Sequence, residues 1–170
     1  GCNTCHSQQV RPFKSETDRY GAYSRAGEGI YDRPFLWGSR RTGPDLARVG
    51  GKYPDSWHWL HFLNPRDIEP RSNMPAFRFL SENEVDLSSA SRKLEVLRQL
   101  GAPYSDAEIA NAVADALAEA DLIAAALRKD GVTLSATQAQ SEGIALIAYL
   151  QSLGRAIASQ PMNTALLEPH

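Results

Sequence analysis

A chain of 170 residues is long enough for one domain with a real core, or for a small domain carrying a large insertion. Apolar residues at 42 % and charged residues at 22 % give the balance of a globular protein, and the formal net charge of −2 gives no reason to expect a nucleic-acid partner. The longest uninterrupted apolar run, Ile144 to Leu150, is far short of a membrane span. The charge is uneven: residues 1–80 carry 12 Lys and Arg against 8 Asp and Glu, whereas residues 81–170 carry 6 against 12. The chain starts at Gly1 without an initiator Met and reads as a fragment or processed product whose targeting information has been removed.

The first motif is at the very start. Gly1-Cys2-Asn3-Thr4-Cys5-His6 holds both cysteines of the chain. Cys-x-x-Cys-His is the attachment pattern of c-type haem. On a helical turn the two thiols reach the two vinyl groups on one edge of a porphyrin, and the adjacent imidazole projects toward the iron. A zinc site needs further ligands, and no second cysteine pair exists. A dithiol oxidoreductase motif follows a strand in an α/β pattern, which this chain lacks. Residues 7–41 contain Pro, Gly and scattered aromatics without period, and read as a long functional loop.

Thr42-Gly43-Pro44-Asp45-Leu46 reads as a rigid turn, and the Pro44 carbonyl is a candidate acceptor for the His6 ring N–H; an ordinary Gly-Pro turn is the plain alternative. Pro54-Asp55-Ser56 opens an aromatic helix containing His58 and His61, closed by Asn64-Pro65, which starts a short helix of its own. Met74 then lies in the irregular loop Arg71-Ser72-Asn73-Met74-Pro75-Ala76 and is the first candidate for a sixth iron ligand. Met162, in a polar tail, is a weaker one. His58 and His61 are rival ligands, although a His on an aromatic helix is equally a packed residue, and a mid-chain Met is often core filler.

Further along, Ser81 with Glu84 suggests a capping box, with a stronger helix from Ser88 to Leu100 stopping at Gly101. Ser105 with Glu108 is a second capping box. It opens a helix with Ile109, Val113, Leu117 and Ala120 on one face, which runs to about Lys129 and stops at Gly131. Ile144 to Leu153 is a last apolar helix ending at Gly154, placed to pack on the haem segment. Little or no sheet is expected. The Arg residues around Trp37-Gly38, among them Arg40 and Arg41, are candidates for pairing with haem propionates or partner carboxylates; local hydrogen bonds within the fold are the alternative.

Several runs resemble the mono-haem cytochrome c subunit of cbb3-type cytochrome c oxidases. They are Gly1 to Phe13, Glu16 to Gly21, Trp37 to Gly51, Trp57-His58, Asn64-Pro65-Arg66, Met74-Pro75-Ala76, Leu97 to Tyr104 and Ala148 to Gly154. The resemblance implies an all-α, class I cytochrome c-like domain around one covalent haem c, with long loops and an inserted helical segment. On this reading residues 1–170 are one domain: haem-binding loops and short helices over 1–80, a helical insertion over 81–143, a C-terminal helix over 144–154 and a tail over 155–170. It implies thioethers at Cys2 and Cys5, and His6 and Met74 as axial ligands. A calcium ion at the subunit interface, beside Ser39, is a further implied feature.

The implied partners are the membrane-embedded catalytic subunit, a di-haem cytochrome c subunit and a periplasmic electron donor. The implied setting is the periplasmic side of the bacterial inner membrane, with an N-terminal transmembrane helix that is absent here. The domain would carry electrons and have no catalytic site of its own. Rival functions are the cytochrome subunit of a nitric oxide reductase, a free periplasmic shuttle, and a haem-based gas or redox sensor. The Arg-Pro-Phe and Trp-Gly-Ser-Arg-Arg runs argue against the first. The stretch from Ala118 to Glu142 departs from the pattern in length.

Overall fold

Among the described residues five α-helices follow one another, and the first half of the chain is mostly irregular. The computed structural model describes residues 1–38 and 40–155; Ser39, Met162 and most of the expected tail lie outside the described residues. The helices are α1 (Lys14–Tyr20), α2 (Asp55–Leu63), α3 (Ala90–Gln99), α4 (Asp106–Lys129) and α5 (Glu142–Ser152). Short 3₁₀ turns at Cys2–Thr4, Pro65–Asp67, Arg78–Ser81 and Gln138–Gln140 punctuate the loops. Among the described residues there is no strand, only an isolated bridge between Glu84 and Ser141. The fold is therefore all-α, as expected for a cytochrome c-like domain. No helix among the described residues is long and apolar enough to cross a membrane.

The core is built where α2, α4 and α5 meet. Trp59 and Phe62 from α2, Ile123 and Leu127 from α4, and Ile144, Ile147 and Leu150 from α5 are buried together with Val49. Leu127 and Ile147 are completely enclosed. Residues 106–129 thus supply part of the central core, and the segment read as an insertion packs on α2 and α5.

Local chemistry explains the helix ends. Asp55 lies in the first turn of α2, and Asn64 stops it in an extended conformation while its side chain donates to Asp67 at 2.6 Å. The Ser105 hydroxyl accepts from the Glu108 N–H, and the Glu108 carboxylate accepts from the Ser105 N–H at 2.7 Å, a complete capping box. At the other end of α4, Val132 donates to the Leu127 carbonyl at 2.9 Å and Gly131 to Arg128 at 3.0 Å, closing the helix in a Schellman arrangement.

Three expectations are corrected. Ser81 closes a 3₁₀ turn, its hydroxyl donating to the Arg78 carbonyl at 2.7 Å, and no capping box forms with Glu84. The stretch 7–41 contains α1, which has no apolar period because the side chain it buries is the carboxylate of Glu16. On α4, Ile109 is buried but Val113 is exposed; the buried stripe resumes at Ile123, Ala124 and Leu127, where α2 and α5 cover it.

Candidate haem-binding site

The Cys-x-x-Cys-His segment is one helical turn. Cys5 N–H and His6 N–H both point back to the Cys2 carbonyl, at 3.1 and 2.8 Å. The turn leaves both thiols exposed and unbridged. His6 follows directly, half-buried, with ring Nδ1 2.7 Å from the Pro44 carbonyl oxygen. A carbonyl only accepts, so Nδ1 carries the proton, and Nε2 is left with its lone pair.

Two backbone bonds hold the turn onto the Gly-Pro segment: Gly43 N–H to Cys5 at 2.9 Å and Leu46 N–H to Ser7 at 2.8 Å. The approach is close enough that residue 43 has no room for a side chain. A Cβ there would overlap the His6 ring, with Nδ1 and Nε2 within 2.6 and 2.7 Å. Gly38, at φ +64°, lies equally close on the other side: a Cβ would run into the His6 carbonyl and stand 2.9 Å from that of Asn3. The neighbouring Trp37 carbonyl accepts from Gln8 N–H at 2.7 Å. His6 is thereby clamped between two glycine-bearing loops.

A polar network behind the clamp holds it in place. The buried Asp45 carboxylate accepts from the Ser7 hydroxyl at 2.5 Å, Gln9 N–H at 2.9 Å and Ala47 N–H at 2.8 Å. Arg41 bridges this carboxylate to that of Glu16, at 3.4 and 2.7 Å, and also donates to Ser7 and to the Gln9 carbonyl. The hydrogen bond from Arg41, helped by Arg11 and opposed by desolvation, brings the Glu16 carboxyl down to about 2. Asp45, Ser7 and Glu16 went unread in the sequence, because nothing local marks a carboxylate as buried. Arg48 is committed to Glu28 at 2.8 Å and Arg33 donates to the Leu100 carbonyl at 3.3 Å. Of Arg33, Arg40, Arg41 and Arg48 near Trp37, Arg33 and the exposed Arg40 pair with none of the described carboxylates. Local hydrogen bonding thus takes up the Arg41 guanidinium.

Met74 lies half-buried in the loop between α2 and the Arg78–Ser81 turn, packed against the core cluster that includes Val49, Trp59, Phe62 and Leu127 and also receives Leu46. The loop is pinned to α2 by Phe77 N–H donating to the Phe62 carbonyl at 2.8 Å. The donor set suits a covalently held haem c: two open thiols on one turn, an imidazole with its proton occupied elsewhere, and a thioether on an apolar wall. Among the described residues no group of three or more His, Cys, Asp or Glu side chains is placed to hold a separate metal ion.

The rival histidines lie on α2. His58 is enclosed, its Nε2 without a partner, and burial lowers its pKa. His61 is half-buried, its Nδ1 enclosed and also unpartnered, and its pKa is lowered by burial and then by the charge of His6. Its ring stacks on Trp57 at 4.4 Å, and Trp57 stacks on Tyr53 at 4.0 Å.

A family model described as "Cytochrome C oxidase, mono-heme subunit/FixO" matches residues 1–157. The chain belongs to this family. Comparison with individual curated proteins returns no match. Family membership makes this chain a cytochrome c subunit of a cbb3-type oxidase complex, with a role in electron transfer. The motifs that carried the resemblance all fall inside the matched span.

Proposed function

We propose that Cys2 and Cys5 hold one haem c as thioethers, with His6 and Met74 as its axial ligands. The domain then passes single electrons from a periplasmic donor to the catalytic subunit of the oxidase. When bound, the haem supplies a one-electron couple between ferric and ferrous iron. The observation that carries the reading is the 2.7 Å contact between His6 Nδ1 and the Pro44 carbonyl. It fixes the tautomer, orients the ring and leaves the Nε2 lone pair as the one the ring can offer to a metal. Two glycines and a buried carboxylate network keep the ring in that pose. Filling of the opposite side by a thioether favours electron transfer over binding of small ligands and raises the reduction potential relative to two imidazoles.

The partners on this reading are the membrane-embedded catalytic subunit and a di-haem cytochrome c subunit, on the periplasmic side of the bacterial inner membrane. Arg40, exposed and paired with none of the described carboxylates, has a charge available to a partner carboxylate or a haem propionate. Arg41 serves the Glu16 and Asp45 clamp.

The test begins with the domain matured with haem. Acid–organic extraction after unfolding should leave the haem on the wild-type chain and release it from the Cys2→Ala, Cys5→Ala double variant. Haem that leaves the unfolded wild type would overturn the attachment. The reduced domain should be reoxidised when the isolated oxidase core and oxygen are added; a domain that stays reduced would remove the assigned role.

A further inference from the structure

Asp45 and Arg41 hold the Gly43 side of the His6 clamp. The Gly38 side has an anchor of its own, built around Gln8. Gln8 Nε2 donates to Asp32 Oδ2 at 3.1 Å and to the Tyr149 hydroxyl at 2.8 Å, and that hydroxyl donates to Asp32 Oδ1 at 3.0 Å. Three side chains thus close a triangle in which each proton has one acceptor and both carboxylate oxygens are used. They come from the strip of chain just after His6, from the loop that leads to Trp37, and from α5. Burial, opposed by the Gln8 bond and helped by the Asp32 charge, pushes the Tyr149 hydroxyl up to about 12, so the phenol keeps the proton it donates.

The triangle is tied to rigid structure on one side and to the clamp on the other. Tyr149 is carried by the turn of α5 that buries Ile147 and Leu150 in the core, so its backbone is fixed. Asp32 leads into Arg33, whose guanidinium lies 4.3 Å from the centre of the Phe35 ring, and Phe35 stacks on Trp37 at 5.0 Å. The Trp37 carbonyl accepts from Gln8 N–H, and Gly38 lies against the His6 carbonyl. Gln8 therefore grips this loop twice, by its side chain at Asp32 and by its backbone at Trp37.

We propose that Tyr149, acting through Asp32 and Gln8, is a positioning residue for His6: it fixes the Trp37-Gly38 loop against the His6 carbonyl and so sets the pose of the imidazole toward the iron. This rests on His6 being an axial ligand. The hydroxyl works through its two partners, and its part is geometric: it ties a loop without secondary structure to a helix that the core holds still.

The haem-loaded domain tests this with Tyr149→Phe, which removes the hydroxyl and keeps the ring. Hydrogen exchange at Gln8 N–H should quicken about tenfold, as for loss of one bond that holds a loop, while Gly43 N–H and the core amides of α5 keep their wild-type rates. The paramagnetically shifted His6 proton signals of the ferric domain should move, and so should its reduction potential. Asp32→Ala should do the same. Asp32→Asn should behave as wild type, because the Gln8 amide can turn over and close the triangle with the new amide. A hydroxyl that serves only general stability would quicken all of these amides alike and leave the His6 signals in place. That pattern overturns the proposal, as does wild-type behaviour of Tyr149→Phe, or an Asp32→Asn variant as altered as Asp32→Ala. Unshifted His6 signals in the wild type remove the axial ligation itself and the positioning role with it, and are read before any variant is compared.

Discussion

Arg41 and Leu127 are each central to one half of this molecule, for opposite reasons. Around Arg41 the chain is irregular and its order comes from polar contacts: two carboxylates, a hydroxyl and a carbonyl converge on one guanidinium. Around Leu127 the chain is helical and its order comes from apolar packing, with the side chain wholly enclosed among α2, α4 and α5. Helices satisfy their own backbone groups, so packing alone can hold them. The loops around His6 have no such internal partners. Asp45 and Arg41 supply them, and the precision of the imidazole depends on that supply. The polar half should therefore respond to pH and to charge removal, and the apolar half to cavities.

The largest effect expected is in the helical half. Leu127→Ala should cost about 2–5 kcal/mol, as for other fully enclosed leucines, read as a lower urea midpoint. In the folded fraction any spectral change should fall on the methionine–iron band, since Met74 packs on the same apolar cluster as Leu127, whereas the His6 clamp is polar. Loss of the His6 ligation would mean that the two halves are not separable.

Gly43→Ala strikes the other half. The added methyl has to displace the His6 ring, a strain of roughly 1–3 kcal/mol. Here the spectrum and the reduction potential should move while the helical circular dichroism stays.

Acid sharpens the contrast. The Glu16 carboxyl sits at about 2 in the folded protein against an ordinary 4.5, mainly through Arg41. A depressed carboxyl contributes stability that is full above 4.5 and is lost as pH falls toward about 2. Unfolding titrations over that window should show the loss in wild type and a flatter profile in Arg41→Ala or Glu16→Gln. An unaltered profile in both would place the acid sensitivity elsewhere.

Ser105→Ala removes the hydroxyl half of the α4 capping box and should cost about 1 kcal/mol with no spectral change. The smallest stability effect belongs to Arg40→Glu, within about 0.5 kcal/mol because the side chain is exposed. Its consequence should appear instead in association with the oxidase core, weakened and less salt-sensitive than wild type. Undiminished association would take Arg40 out of the docking surface.

The features legible in the sequence were those whose cause is local. The Cys-x-x-Cys-His spacing is dictated by the porphyrin edge and needs only one helical turn. The Ser105 box, the Gly131 stop and the Asn64-Pro65 break act within a few residues, and so the bounds of α2 and α4 were visible in advance. The Pro44 carbonyl was reachable by reasoning because the ring nitrogen of a ligating His needs an acceptor and a rigid turn was nearby. The Ser81–Glu84 spacing misled because the Ser81 hydroxyl bonds back to the Arg78 carbonyl and so caps no following helix.

The rest was decided by contacts between distant parts of the chain. Ser7 meets Asp45 across 38 positions and Arg41 meets Glu16 across 25. A polar helix such as α1 shows no period when the group it buries is a carboxylate waiting for such a partner. That residue 43 must lack a side chain follows only from where the His6 ring comes to rest. His61 and Trp57 read as part of one aromatic helix, but only the assembled fold closes Nδ1 off without a partner. The sequence by itself determined the Cys-x-x-Cys-His pattern that proposes the haem-binding atoms, because that pattern is short-range chemistry. Tertiary structure decided how those atoms are held, because burial and pairing belong to no single stretch of chain.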